Sequence, residues 1–524
     1  MPTPTPGGPV AAAVAAAPSG RGSSGSGSSL TSPVAGPPIG SNRPTVASCL
    51  PQFESLPLDA FARPGGVLTT LGAADQLNGP PTVDAGRQLL IDDTVIDSLK
   101  NAARVLNQPL RYPGNPVIRP DTPWEAGGAA APPIEVLYDP AMGKLRMWYH
   151  AATKLGPAAA HAVSADGLRW EKPALDFAKW EGRPTNIVMA DPFIEAYGKL
   201  SGVMIDPSDG GAGRYKAVYL YRNPNTGVRG LKTATSPDGL KWTVGAPLLQ
   251  QVNDISRAFR DPRSGKFVIV GRLMRQGRRC VQRLESEDFV FWTNGEPLLE
   301  PDPDDRPGDD FHCLTAFAYG KSYLGLLSVC HNDPAAQNMD VQLAASRDGW
   351  KWSRLCDRGT FLPFSARGDW DRHQVTVAAP PMQVADQLWF YYGGRSRRLG
   401  NYSGPDNGPD WGGVGLASIR VDGFAHIEGS FDGGVVTTKP LLLRGAKLHV
   451  NVASAFGQAQ VQLLDAEGRP IEGMASAPVV ADSTDWTVQW LSGRDLSGWT
   501  SGNRPMRLRF ILRNARLYSF WTSP

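Results

Sequence analysis

The chain has 524 residues, enough for two or three domains and a large core. Its formal charge of +3 supplies no basic surface for nucleic acid or an anionic membrane, and no apolar run approaches transmembrane length. The 58 Gly, 46 Pro and 15 Trp, with no amphipathic helix of useful length, fit an all-β chain of many turns better than a helical one.

Residues 1–84 open with "MPTPTPGGPVAAAVAAAPSGRGSSGSGSS", a Pro/Ala/Gly/Ser-rich and nearly uncharged extension that cannot bury enough apolar surface to order itself. "VAAAVAAAP" lacks a basic flank and a Leu run, so it is not a clear signal peptide. A misplaced start codon or a secretion linker both suit this segment, the latter in a secreted or periplasmic protein.

From about Ile134 to Gly429 the sequence repeats itself. Ser164, Asp166, Gly167 and Trp170 recur as Ser236, Asp238, Gly239 and Trp242. They recur again as Ser286, Asp288 and Trp292, and as Ser346, Asp348, Gly349 and Trp352, with a degenerate copy at Asp422-Gly423-Phe424. Each copy reads as strand, tight turn, strand, with Asp and Gly making the turn and Trp packing on return. A second hairpin precedes each copy, closed in three cases by an Asp-Pro turn at Asp139, Asp206 and Asp261. The expectation is a five-bladed β-propeller over residues 85–430, preferred over a pair of β-sandwiches with coincidental turns. Residues 431–524 alternate apolar and polar side chains around "DAEGRP" and read as an antiparallel β-sandwich, suited to docking on the propeller or to binding sugar.

Five cysteines, Cys49, Cys280, Cys313, Cys330 and Cys356, include no C-x-x-C pair. They imply neither a zinc site nor a disulfide framework and read as small buried hydrophobes. No metal or other cofactor is implied.

In architecture, residues 85–524 resemble glycoside hydrolase family 32 and its relatives in families 43, 68 and 130. "LLIDDTVID", "NQPLRYPGNPVIRPDTPWE" and "LRMWY" are similar to a bacterial family-32-like group whose function is mostly unassigned. The resemblance implies cleavage of furanosides or related glycosides by three acidic side chains on inner strands of successive blades. Two departures weaken any invertase activity: the Trp-Met-Asn-Asp-Pro run and the Glu-Cys pair of family 32 are absent. Arg260-Asp261-Pro262 matches that family's stabilising tripeptide in letters. Beside "YDPAMGK" and "IDPSDGG", however, Asp261 reads as a turn residue.

If each inner strand starts at the pocket face, the A–B and C–D turns lie on the opposite face. The B–C hairpins and the links between blades then lie on the pocket face. This sorts the acids. Asp254 and Asp310 precede or begin inner strands, where the resemblance places catalytic carboxylates, and Asp92 and Asp93 end an apolar strand as a buried-looking pair. Asp93 is expected as base or nucleophile, Asp254 as stabiliser and Asp310 as general acid. Strand B closes with His150, Arg222, Arg272, His331 and Arg395, a ring suited to hydroxyl-rich or anionic substrates. Asp92, Trp124, Glu125, His312, Arg372 and His373 complete the expected substrate-binding set, with Trp148 as a further stacking or core residue. The function expected is glycoside hydrolysis on a carbohydrate substrate, possibly a fructo- or arabinofuranoside; the alternative is a glycan-binding propeller without catalysis. No nucleic-acid or membrane partner is expected, and the oligomeric state is left open.

Overall fold

The computed structural model describes residues 79–524 apart from 126–129, 154–155, 190–198, 223–225, 246–248, 250–251, 253–255, 333–336, 366–368, 399–410 and 501; at 130–132, 156–157, 199 and 222 the backbone alone is described. Regular structure is almost entirely β, broken by the single turns Cys356–Arg358 and Ser497–Thr500. The all-β class stands. No helix among the described residues is long and apolar enough to cross a membrane.

Five antiparallel units follow one another. The first pairs Ala130–Asp139, Lys144–Thr153, Gly156–Ser164 and Ile187–Met189. The second pairs Lys199–Ile205, Tyr215–Arg222, Arg229–Ser236 and Thr243–Val244. The third pairs Ser256–Arg260, Phe267–Arg275, Arg278–Ser286 and Glu296–Leu299. The fourth is built on Asp309–Tyr319, Ser322–His331 and Asn338–Ser346, and the fifth on Gln374–Thr376, Gln387–Arg395 and Gly412–Arg420. Inner strands of the first to fourth units touch in succession, Gln374–Thr376 of the fifth unit meets Asn338–Ser346 of the fourth, and the fifth unit packs back against Ala130–Asp139 of the first. Apolar seams fill the gaps: Trp148 and Tyr219 between the first and second units, Ile269 and Leu220 between the second and third, Tyr391 and Met147 between the fifth and first. The result is a propeller ring.

The repeated turn explains its own sequence. In the first unit Ser164 Oγ accepts the Gly167 amide at 2.8 Å, and Asp166 Oδ1 accepts the Leu168 and Arg169 amides at 2.9 and 2.8 Å. Gly167, Gly239 and Gly349 take φ of 73°, 71° and 78°, a left-handed conformation that costs any residue with a Cβ. The turns also latch units together. The Trp148 indole donates to the Gly239 carbonyl of the next unit at 2.8 Å, and the Tyr391 hydroxyl of the fifth unit donates to the Gly167 carbonyl of the first at 2.8 Å. The Asp-Pro turns do the same from their side. Asp139 accepts from Arg214 at 2.8 Å, Asp206 from Arg260 at 2.9 Å and Asp261 from the Tyr323 hydroxyl at 2.7 Å, each partner belonging to the following unit. Asp261 also holds its own turn through the Arg263 amide at 3.0 Å.

The ring closes differently from the in-line expectation. The segment after Asp422-Gly423 does not return along the fifth unit. Leu110–Arg111 fills that outer position instead, pairing Arg111 with Ala417 and Leu110 with Ser418. An outer edge without a partner would expose a row of backbone donors and acceptors, so a strand from the chain's early part covers it. Ala425–Gly429 joins a second unit of two facing sheets. One sheet has the order Asp482–Thr487, Lys447–Ala453, Ala515–Ser523, Ala425–Gly429 and Ala102–Leu106; the other has Ile96–Lys100, Gly434–Thr438, Arg507–Arg513, Gln458–Leu464 and Pro470–Ala475. Their facing sides share a core that includes Val436, Leu448, Val450, Leu508 and Phe520. Strand pairing therefore crosses the boundaries drawn at 84 and 430, and Thr82–Val83 already pairs with Leu442–Leu443.

Asp422 joins these parts. It is fully buried, pairs with Arg87 at 2.6 Å, and accepts from the Tyr319 hydroxyl at 2.8 Å, Asn451 Nδ2 at 2.9 Å and the Ser519 hydroxyl at 2.5 Å. Removing one member of a buried ion pair leaves the other uncompensated. Asp422→Ala is expected to lower unfolding free energy by about 3–5 kcal/mol in chemical denaturation. Gly239→Ala, whose new Cβ would lie 2.8 Å from Trp148 Cζ2 at positive φ, is expected to lose about 1–3 kcal/mol by the same measurement.

Candidate active site

The inner strands of the first, second and fourth units slip register near their starting ends: between Pro133 and Glu135, between Leu200 and Gly202, and between Phe311 and Cys313. Such bulges re-aim side chains. In the fourth unit the slip falls at His312, and antiparallel pairing sets Asp309 opposite His331 and Asn338 opposite His331 on its other side.

A polar array results. His331 donates Nδ1–H to Asp309 at 2.8 Å and lies with Nε2 3.3 Å from Asp340 Oδ1, while the Thr360 hydroxyl donates to Asp340 at 2.9 Å. The hydrogen bonds to Asp309 and Asp340 raise the imidazole to about 9 against the opposing effect of burial, so it is an imidazolium at neutral pH. Asp310 accepts from Arg279 Nη1 at 3.1 Å and from Asn332 Nδ2 at 2.8 Å. Of the three carboxylates Asp310 has the most exposed side chain, 13% against 6% for Asp309 and 10% for Asp340. Arg272 of the third unit reaches the His312 carbonyl at 3.1 Å and its Nδ1 at 3.0 Å. On the fifth-unit side, His373 Nδ1 meets Asn338 Oδ1 at 3.0 Å, Arg372 donates to the Ser396 carbonyl at 3.1 Å, and the Arg395 carbonyl accepts the His373 amide at 3.2 Å. Asp310, Arg272, His312, His331, Arg372, His373 and Arg395 thus share one band across the ends of the third to fifth units.

The ring interior carries a buried ion pair that sequence reasoning missed. Glu135 of the first unit accepts from Arg257 of the third at 2.6 Å, and Arg257 also donates to the Ala378 carbonyl at 3.1 Å. Burial pushes the Glu135 carboxyl up, and Arg257 offsets this only in part. Asp340 was missed too. Both sit among apolar neighbours in strands, where a charged side chain signals an internal partner.

Other expected residues lie elsewhere. Asp92 pairs with Arg347 at 2.8 Å, beside the Ser346 turn at the opposite end of Asn338–Ser346. At roughly 3.3 Å per residue, that strand puts about 25–30 Å between Asp92 and the array. Asp93 is largely solvent-exposed and pairs with Arg104 at 2.5 Å, so the structure brings neither acid to this band. The acidic pair ends an apolar run because it anchors the early segment to the turn face. Glu125 is buried against Lys172 at 2.6 Å, the Tyr149 hydroxyl at 2.8 Å and the Thr122 hydroxyl at 2.7 Å. Its neighbour Trp124 donates to Asn186 at 3.0 Å. Both brace the first unit and touch none of the array. His150 lies half-buried on that unit's second strand opposite Ala159, and Trp148 is a core residue. Asp254 and the Arg222 side chain lie outside the described residues. Cys280, Cys313 and Cys330 are buried free thiols. Among the described residues no group of three His, Cys, Asp or Glu side chains has a metal-holding arrangement.

The sheets define an all-β propeller protein with an attached pair of facing sheets. No family model matches the chain, and no curated protein does. Among solved structures it is similar to a glycosyl hydrolase from Bacteroides ovatus, at 17% identity and a TM-score of 0.44 over 60% of this chain and 94% of that one. It is also similar to a member of the GH130 family of mannoside phosphorylases, a family containing glycoside hydrolases that target β-1,2-mannosidic linkages in Candida mannan. That likeness has 18% identity and a TM-score of 0.43 over 60% of this chain and 94% of that one. A GH32 β-fructofuranosidase from Bombyx mori aligns at 11% identity and a TM-score of 0.40 over 79% of this chain and 95% of that one.

The raised His331 has a pH signature. Its folded value of about 9 exceeds the ordinary 6.5, so its contribution to stability is full below pH 6.5 and is lost as pH rises through about 9. The melting temperature is expected to fall more steeply between pH 6.5 and 9.5 in the native chain than in His331→Gln, as read by scanning calorimetry. Equal slopes would contradict the Asp309–His331–Asp340 arrangement.

Proposed function

We propose that the chain is a carbohydrate-active enzyme that cleaves a glycosidic bond at the third-to-fifth-unit band. The observation that carries this reading is the alternation there of fixed donors, Arg272, Arg279 and His331, with the carboxylates Asp309, Asp310 and Asp340. A sugar hydroxyl both donates and accepts, so an alternating array fits it better than a surface of one sign. Glycoside cleavage further needs a proton donor and a carboxylate flanking the bond. Asp310, the most accessible of the three acids, is the proposed catalytic carboxylate. His331 is a positioning residue: it holds Asp309 and Asp340 and its charge balances one of them. Asp254, outside the described residues, remains the proposed stabiliser, and a fructo- or arabinofuranoside the proposed substrate.

A second reading, glycan binding without turnover, has its own support. Asp310 is engaged by Arg279 and Asn332, and Asp309 by His331, so neither stands open as a proton donor. A panel of aryl furanosides and fructans separates the two. Turnover by the native chain, reduced at least about 100-fold in kcat by Asp310→Asn with an unchanged melting temperature, is the expected result. Full activity in Asp310→Asn would remove Asp310 from catalysis, and saturable glycan binding with no turnover in the native chain would favour the second reading.

A further inference from the structure

The two facing sheets are joined at one end by a row of four crossovers. Lys100 passes to Ala102 through Asn101, Gly429 to Gly434 through 430–433, Arg513 to Ala515 through Asn514, and Ala453 to Gln458 through 454–457. Strand order in both sheets sets them side by side in that sequence, with Asn514 between the two longer loops. The row is locked together. The Asn514 amide donates to the Ser430 carbonyl at 3.0 Å, and its Nδ2 donates to the Phe456 carbonyl at 2.8 Å. Glycines let neighbouring crossovers touch. A Cβ on Gly434 would lie 2.6 Å from the Asn101 carbonyl oxygen, and one on Gly457 would lie 2.1 Å from that of Arg513.

Each loop that flanks Asn514 carries a phenylalanine at the surface. Phe431 is 87% exposed and Phe456 82%, the highest values for large apolar side chains among the described residues. At that exposure neither ring contributes much to the core, yet both stand on loops whose backbone is fixed. The two loops are two strand spacings apart, about 10 Å. Exposed polar residues surround them: Asn101, Ser430, Asp432, Arg513 and Asn514. Two separate rings set among hydroxyl, amide and charged groups suit a ligand that is apolar on its ring faces and polar at its edges, as a sugar is.

We propose that this rim is a non-catalytic binding site for a β-1,4-linked glycan chain, with Phe431 and Phe456 each stacking on one pyranose ring. In such a chain successive rings are turned over, so alternate rings present the same face, and two rings span the separation of the two loops. The choice of a glycan rests on the carbohydrate-active reading above, although the rim shares no residue with the pocket-face band.

Isothermal titration of the full chain with cellohexaose and with maltohexaose, whose α-1,4 links coil the chain and take alternate rings out of line, tests this. Cellohexaose is expected to bind saturably, and maltohexaose at least about 10-fold more weakly. Phe431→Ala and Phe456→Ala are each expected to weaken cellohexaose binding at least about 10-fold with melting temperature unchanged, while Phe431→Trp retains it. Asp310→Asn is expected to leave it unaltered, so failure at the pocket face and failure here are read separately. Absence of saturable cellohexaose binding, or unaltered affinity in both alanine variants, would overturn the site. Maltohexaose binding as tight as cellohexaose would overturn the ligand class.

Discussion

The Asp422 carboxylate is the point on which the assembly turns. It belongs by sequence to the last copy of the repeated turn, where its counterparts Asp166 and Asp238 bond to groups of their own turn, the amides and the Ser hydroxyl. Here the same residue receives Arg87, Tyr319, Asn451 and Ser519, drawn from the early segment, the fourth unit and the facing sheets. A buried charge is tolerated when it is paired and its remaining lone pairs are filled, and Asp422 meets both conditions. The fifth copy has thus kept the turn's acid and exchanged its role.

The ring divides its labour between two faces. At the turn face, short polar side chains are tied to the next unit, as in Asp139 to Arg214 and Asp206 to Arg260. Burial pushes the Asp206 carboxyl up, but the Ser208 hydroxyl and Lys216 more than offset this and bring it down to about 2, so that latch stays ionised far into acid. At the other face, strand ends carry long and titratable side chains, and bulges re-aim some of them. The rigid latches let the opposite ends present groups at fixed spacing, which hydroxyl recognition requires.

The repeats were legible because each is local: Ser, Asp, Gly and Trp within seven positions specify one turn, and five copies specify a ring. That logic also moved attention away from Asp261, which the structure ties to its own turn and to Tyr323. Strand-end placement put Asp310, His312, His331 and His373 at one end of their strands, where the structure also has them, since period-two patterning fixes where a strand stops. It failed where pairing is long-range. Leu110–Arg111 is two residues long and has no periodicity to read. Asp92 looked like half of a buried acidic pair, and its partner Arg347 lies 255 positions away. Glu135 and Arg257 lie 122 positions apart, and neither strand alone announces the other.

The outer strand of the fifth unit also bears on how the chain is made. Asn115, next to that strand, bonds to Leu416 across a separation of 301 positions. During synthesis Leu110–Arg111 emerges early and must wait for Gly412–Arg420 before either has its partner. Closing so long a loop is entropically slow, and the waiting strand edges are open to other chains meanwhile. The step that shuts the ring is therefore where synthesis at high concentration is most exposed to aggregation. Slowing translation does not shorten that wait, because the partner strand lies near the end of the propeller's own sequence.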